Sequence, residues 1–172
     1  MILGTGILMG GAWAYEALSF GGFWAWDPVE NASLVPWLVM VGGAHVMLIY
    51  KSRKQSLFTA YVLMILTFIL ILYSTFLTRS GILGNTSVHA FTDLGMSGQL
   101  LVYLLFYVLI AALLLVKNYK AINVDSVEDN STSREFWMFI GSLVFFLSGF
   151  VILFITSLPV FNKIVSNFSF LK

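Results

Sequence analysis

Cysteine is absent from the 172-residue chain, and charged residues make up only 10% of it. Without thiols the chain excludes disulfides, zinc–thiolate sites, iron–sulfur clusters and thiol catalysis. Soluble domains are about 25% charged and about 45–50% apolar, whereas this chain is 59% hydrophobic. Its net charge of +1 gives no basic surface for a phosphate backbone. The composition excludes a cytosolic enzyme, a nucleic-acid-binding protein and a disordered tail, and it indicates an integral membrane protein.

Long uncharged apolar runs predict transmembrane helices, because a helix needs about 20 apolar residues to cross the hydrocarbon core. Four runs of this kind are present, at residues 31–50, 57–78, 97–116 and 136–158. A fifth and weaker run covers residues 1–15, where Gly6 and Gly10 either allow a second helix to pack closely or have this spacing by chance. The prediction is an all-α fold, a polytopic transmembrane helix bundle of about five spans.

Basic residues predict the orientation of these spans. They cluster in two of the connections, which contain Lys51, Arg53 and Lys54, and Lys117, Lys120 and Arg134. By the positive-inside rule both connections are cytoplasmic, so segments 19–30 and 79–96 lie together on the outer face. The expected organisation is a membrane region at 1–116, a polar cytoplasmic linker at 117–135, and a last span with an outward tail at 136–172.

The first outward segment has the pattern of a helix start. Asp27 is predicted to cap the second span, Pro28 takes its first helical position, and Glu30 completes a capping box. The pair Gly21-Gly22 just before it allows a tight turn with positive φ. Capping explains the two acids better than general acid–base chemistry does.

The same segment is rich in tryptophan. Trp24, Trp26 and Trp37 are three of the five tryptophans in the chain. An aromatic belt at the membrane interface would explain Trp24 or Trp37 taken alone. A belt does not require paired glycines or a capped acid beside two tryptophans. Planar aromatic faces suit a large, flat and mostly apolar ligand, of which a porphyrin is an example.

The chain has only two histidines. His45 lies within the second predicted span, where an ionisable residue indicates function, although an interhelical hydrogen bond would also explain it. His89 lies in the second outward segment, where a solvated loop residue is the alternative. Neutral imidazole is a common axial ligand of haem iron. Arg79, at the start of that segment, either pairs with a carboxylate such as a haem propionate or anchors the span at the interface.

Two ordered motifs carry a family resemblance. The run WAWDPVENAS at 24–33, followed by PWL at 36–38, resembles the tryptophan-rich "WWD" signature of haem-handling proteins in cytochrome c maturation. Its DPVENAS variant resembles the haem lyase subunit of the CcmF type. The runs FLTRSG at 76–81 and SVHAF at 87–91 resemble the same family independently. The resemblance covers at least residues 13–91, and the remainder matches mainly in hydropathy.

The resemblance implies a role and a set of haem-binding residues. In the family, the outward aromatic segment holds haem delivered by a chaperone, outward histidines ligate it, and histidines on the spans ligate a separate b-type haem. His89 matches an outward ligand, and His45 matches one ligand of the intramembrane haem. The other residues expected to bind cofactor are Gly21, Gly22, Phe23, Trp24, Trp26, Asp27, Pro28, Glu30, Asn31, Trp37 and Arg79.

The function that the resemblance implies is presentation of haem at the outer face of the inner (plasma) membrane. Thioether bonds would then form between the haem vinyl groups and the cysteines of apocytochrome c. The expected partners are the haem chaperone, apocytochrome c, other maturation subunits and the lipid bilayer. A haem transporter of the same superfamily and a non-catalytic assembly subunit are the alternatives. No catalytic residue is assigned.

The chain departs from the family pattern in three ways. Phe20 and Phe23 stand where many members have tryptophan, although both remain aromatic. The histidine expected before the aromatic segment is absent, and so is a second ligand for the intramembrane haem. Family members are also several times longer. We therefore expect a fragment or one piece of a split protein, which supplies at most half of each iron's axial ligation.

Overall fold

The computed structural model describes residues 1–18, 22–54, 56–84, 86–87, 89, 95–122 and 133–169. Every regular element in these ranges is an α-helix, which confirms the predicted all-α fold. The helices are α1 (Ile2–Ala17), α2 (Pro28–Arg53), α3 (Leu57–Arg79), α4 (Ser97–Ile122), α5 (Arg134–Thr156) and α6 (Leu158–Ser169).

Helices α2 to α5 have the length and apolar character needed to cross a membrane. Each contains at least 23 residues, which at 1.5 Å per residue is longer than the hydrocarbon core of about 30 Å. The weaker fifth run is also helical, but α1 has only 16 residues and is about 24 Å long. The chain is therefore a multi-pass helical membrane protein, as predicted, and α1 is the shortest of its predicted spans.

The polar linker expected at 117–135 is partly helical at its two ends. Helix α4 continues to Ile122, with Lys120 in its last turn, where a positive charge favours the negative end of the helix dipole. Helix α5 already begins at Arg134, because the Ser133 side chain accepts the backbone N–H of Phe136 and so caps the helix. The interior of the linker, 123–132, lies outside the described residues.

Helix α2 is the central helix of the bundle and packs against α3 on one side and α5 on the other. The cluster between them contains Val35, Val39, Val46, Ala60, Leu63 and Leu70, with Phe146, Ile152 and Leu153 packed against it. By contrast, α4 packs only against α3 among the described helices, and most of its surface is exposed. In lipid, the association of α2 with α3 and α5 depends on van der Waals packing. This packing therefore fixes the position of α2 and of the segments joined to its two ends.

A second apolar cluster joins the start of α2 to the C-terminal end of α3. Ala32 of α2 is buried with Phe76 and Leu77 of α3 and with Leu83, which follows α3 and is 0% exposed. Leu83 therefore fixes the chain after α3 against the start of α2. This packing brings the two predicted outward segments to the same end of the bundle.

Helix α1 packs on its neighbours through two glycines. A Cβ placed on Gly4 would lie 2.6 Å from Trp37 Nε1, and one placed on Gly11 would lie 2.8 Å from the carbonyl oxygen of Phe23. Gly6 and Gly10, whose spacing suggested a close approach, have no described heavy atom within 4 Å of such a Cβ. Helix α1 does approach its neighbours closely, but Gly4 and Gly11 allow this approach, and Gly6 and Gly10 do not.

Gly11→Ala should destabilise the protein, whereas the matched variant Gly10→Ala should not. The Gly11 substitution overpacks the contact with the Phe23 backbone, at a cost of about 1–3 kcal/mol. At Gly10 the space is open, and alanine is intrinsically favoured over glycine in a helix by up to about 1 kcal/mol. Thermal unfolding of the detergent-solubilised protein measures both. Equal melting temperatures for the two variants would contradict the packing of α1.

Candidate functional site

The aromatic loop, residues 22–27, has two residues in the left-handed backbone region. Gly22 has φ +65°, as expected for a turn glycine, and Trp26 has φ +57°. A side chain larger than glycine in this region costs about 1–3 kcal/mol and has to be stabilised by its surroundings. Asn31, which is buried, supplies part of that stabilisation, because its Nδ2 donates to the Trp26 carbonyl oxygen at 2.9 Å.

The capping box predicted from the sequence is present. Pro28 is in the first turn of α2, and the Asp27 carboxylate accepts the backbone N–H of Val29 at 2.8 Å. The Glu30 carboxylate accepts the backbone N–H of Asp27 at 3.3 Å and that of Ala25 at 2.9 Å. Glu30 therefore holds the backbone of the aromatic loop and Asp27 holds the first turn of α2, and both carboxylates serve as hydrogen-bond acceptors for N–H groups.

Asp27 also holds the segment that follows α3. Ser87 Oγ donates to Asp27 Oδ1 at 2.7 Å, although the two residues are 60 positions apart in the sequence. The backbone N–H of His89 donates to the same Ser87 oxygen at 3.0 Å. The His89 ring follows, with its Nδ1 3.6 Å from Asp27 Oδ1. One carboxylate thus starts α2 and places His89 beside the aromatic loop.

The aromatic rings of the loop differ in their exposure. Trp24 is half-buried and meets Trp26 edge to face, with ring centroids 6.3 Å apart and an interplanar angle of 88°. Trp26 and Phe23 are exposed, and the Phe23 ring lies next to Gly11 of α1. The loop therefore presents aromatic surface both inward, toward α1, and outward.

A cavity of about 570 Å³ lies between α1, the aromatic loop, the start of α2 and the end of α3. Its volume is within the range of small-molecule sites, about 300–1,000 Å³. The walls are mainly apolar, and Gly6 and Gly10 leave open space along α1. The polar and aromatic groups that face it come from Trp13, Trp24, Glu30, Ser33, Ser74, Thr78 and His89. The arrangement suits a flat apolar ligand with a few polar substituents.

His45 lies well away from this cavity. It is 15 residues after Glu30 in the same helix, which corresponds to roughly 22 Å along the axis. His45 Nδ1 is 2.8 Å from the carbonyl oxygen of Val41, so Nδ1 carries the proton and Nε2 has the lone pair that a metal ligand needs. The His45 ring packs against the Phe145 ring of α5, with the two ring centroids 5.8 Å apart. This bond is within α2 and is not the interhelical bond considered as an alternative.

The structure brings together some of the predicted site residues and separates others. Trp24, Glu30 and His89 line the cavity. Trp37 packs on α1 at Gly4. Arg79 is an exposed residue at the end of α3, directly after Thr78 of the cavity wall. Gly21 lies outside the described residues. Sequence reasoning missed Gly6 and Gly10 as wall residues and Ser87 as a contact of Asp27, because each depends on how separate segments meet.

Comparisons with known proteins agree with the motifs. Residues 1–83 match the family described as Cytochrome C assembly protein. The cytochrome c-type biogenesis protein CcmF of Escherichia coli is 37% identical over 166 residues, 95% of this chain and 25% of that protein. The protein CycK of Bradyrhizobium diazoefficiens is 50% identical over 91 residues, 53% of this chain and 14% of that protein.

The chain belongs to the CcmF-type cytochrome c biogenesis proteins. The protein NrfE of Haemophilus influenzae, also named for cytochrome c-type biogenesis, is 42% identical over 113 residues, 64% of this chain and 17% of that protein. The chain spans about a quarter of the length of the CcmF relatives it matches, and less of the CycK and NrfE proteins. No solved structure matches it.

In this CcmF-type chain, Asn31→Ala should loosen the aromatic loop. The substitution removes the bond to Trp26 from a buried site, which should lower the free energy of unfolding by about 1 kcal/mol. Asn118→Ala is the matched control, because Asn118 makes the same kind of bond, to the Leu114 carbonyl at 2.8 Å, on an exposed face of α4. The control should change stability by less than about 0.5 kcal/mol. Thermal unfolding compares the two, and an equal loss would contradict the role of Asn31.

Proposed function

We propose that this chain binds haem in the cavity between α1 and the aromatic loop, and that it presents the haem at the outer face of the inner (plasma) membrane. The haem is then attached to apocytochrome c by a complex of which the chain is part. The observation that carries the proposal is the cavity itself, which has Trp24 and His89 in one wall. Family membership supports cytochrome c biogenesis as the process.

The residues around the cavity fit a porphyrin. The apolar walls and the half-buried Trp24 suit the flat macrocycle. Gly6 and Gly10 leave room along α1 that larger side chains would fill. The Nδ1 side of His89 faces Asp27, so Nε2 would be the atom that binds iron. When bound, haem supplies the vinyl groups for thioether bonds, and the chain orients it and shields it from water.

The polar rim suits the haem propionates. Ser74 and Thr78 of α3 line the cavity on the side of Arg79. Arginine binds carboxylates well because its planar guanidinium donates in pairs. We assign Arg79, at the outer end of α3, to the propionates. In this arrangement the haem edge that bears the propionates is near the end of α3.

We further propose that His45 binds a second, b-type haem within the membrane. The support is its position in α2 and the bond from Nδ1 to Val41, which leaves Nε2 for iron. The chain contains two histidines, one for each proposed haem. A further ligand to either iron would be supplied by another maturation subunit. The haem chaperone and apocytochrome c are the other proposed partners.

Gly6→Phe should abolish haem binding at the cavity without unfolding the protein. Phenylalanine at Gly6 has open space around its Cβ and would fill the cavity. Met9→Phe is the matched control, because Met9 is an exposed residue of the same helix and does not line the cavity. The measurement is haem content per chain after purification from native membranes with associated subunits. Full haem content in Gly6→Phe would contradict the proposed site.

His45→Ala should remove the b-type absorption that the intramembrane haem gives in a reduced-minus-oxidised spectrum. Met47→Ala is a suitable control, because Met47 is exposed on the same helix and offers no imidazole. The control should keep the wild-type spectrum. An undiminished b-type absorption per chain in His45→Ala would show that another residue binds that haem, because haem at the cavity accounts for only part of the wild-type absorption.

A further inference from the structure

One polar atom at the cavity has no hydrogen-bond partner within the described part of the chain. His89 Nδ1 is buried, and the nearest acceptor, Asp27 Oδ1, is 3.6 Å away, beyond hydrogen-bond distance. A buried nitrogen without a partner is costly, so its persistence in a folded site requires an explanation. The gap is small enough to close with a modest movement of the imidazole ring.

The residues around His89 restrict where that movement can go. The His89 backbone N–H is bonded to Ser87 Oγ at 3.0 Å, and Ser87 Oγ is bonded in turn to Asp27 Oδ1 at 2.7 Å. Asp27 is held by its own bond to Val29 at the start of α2. Oδ1 of Asp27 already accepts the N–H of Val29 and the hydroxyl of Ser87, but a carboxylate has about four acceptor positions, so Asp27 can receive a further N–H at its second oxygen. The backbone of His89 is thus fixed, and its ring is poised beside the carboxylate.

We propose that Ser87 is a positioning residue for His89, and that Asp27 accepts the Nδ1–H of His89 when the imidazole binds iron. This rests on the proposed function. A histidine ligand that donates its other N–H to a carboxylate has a fixed orientation and is a stronger electron donor to the metal. Asp27 would therefore stabilise the oxidised iron and lower the potential of the outer haem, in addition to capping α2.

The positioning role of Ser87 is tested without haem. In the haem-free protein, Ser87→Ala should speed hydrogen exchange of the His89 amide by roughly 2- to 10-fold, the range expected for the loss of one hydrogen bond. Ser87→Thr keeps the hydroxyl and should restore slow exchange. Thr86→Ala is the matched control, because the Thr86 hydroxyl donates to the carbonyl oxygen of Leu83. Unchanged exchange in Ser87→Ala would overturn the positioning role.

The role of Asp27 is tested by the redox potential of the outer haem in the purified complex. Asp27→Asn keeps a good helix cap but replaces the carboxylate with a neutral amide. We expect this variant to retain haem and to shift the midpoint potential upward, with a smaller upward shift in Ser87→Ala and none in Thr86→Ala. A wild-type potential in Asp27→Asn would overturn the acceptor role. A wild-type complex with no haem at the cavity would instead contradict the proposed function, and the exchange experiment would still decide on Ser87.

Discussion

The hydrogen bonds of the Asp27 carboxylate are the interaction on which the rest of the candidate site depends. It accepts the N–H of Val29 and so fixes the first turn of α2. Helix α2 is the centre of the bundle and carries His45. The same carboxylate accepts the hydroxyl of Ser87 and so fixes the segment that follows α3. The start of α2, the end of the aromatic loop and the segment that contains His89 are therefore all held by the one carboxylate of Asp27.

The aromatic motif is best understood as a way to hold the loop in a conformation that it would not otherwise adopt. Trp26 is in the left-handed region; Asn31 donates to its carbonyl oxygen, and Glu30 accepts the backbone N–H groups of Ala25 and Asp27 on either side of it. The polar residues of the motif thus satisfy the backbone, while the aromatic residues face the cavity or the outside. This division explains why tryptophans, acids and an asparagine occur together in one short run. The ligand would be recognised by the aromatic rings and an imidazole, and Asp27 and Glu30 would hold the backbone that carries them.

Local features of this structure could be predicted from the sequence, and contacts between segments could not. The capping box was predictable because Asp27, Pro28 and Glu30 lie within one helical turn. The long helices followed from apolar runs of membrane length. The packing glycines of α1 depend on how that helix is rotated, so Gly4 and Gly11 could not be distinguished from Gly6 and Gly10. The bond between Asp27 and Ser87 joins positions 60 apart, and no local pattern encodes it.

The most direct test of haem binding in the cavity is a structure of the protein purified with its partner subunits and bound haem. We predict iron next to His89 Nε2, with the porphyrin between α1 and Trp24 and its propionates toward the end of α3. Haem density found only beside His45, or on the outer surface of the aromatic loop with the cavity filled by side chains, would contradict it.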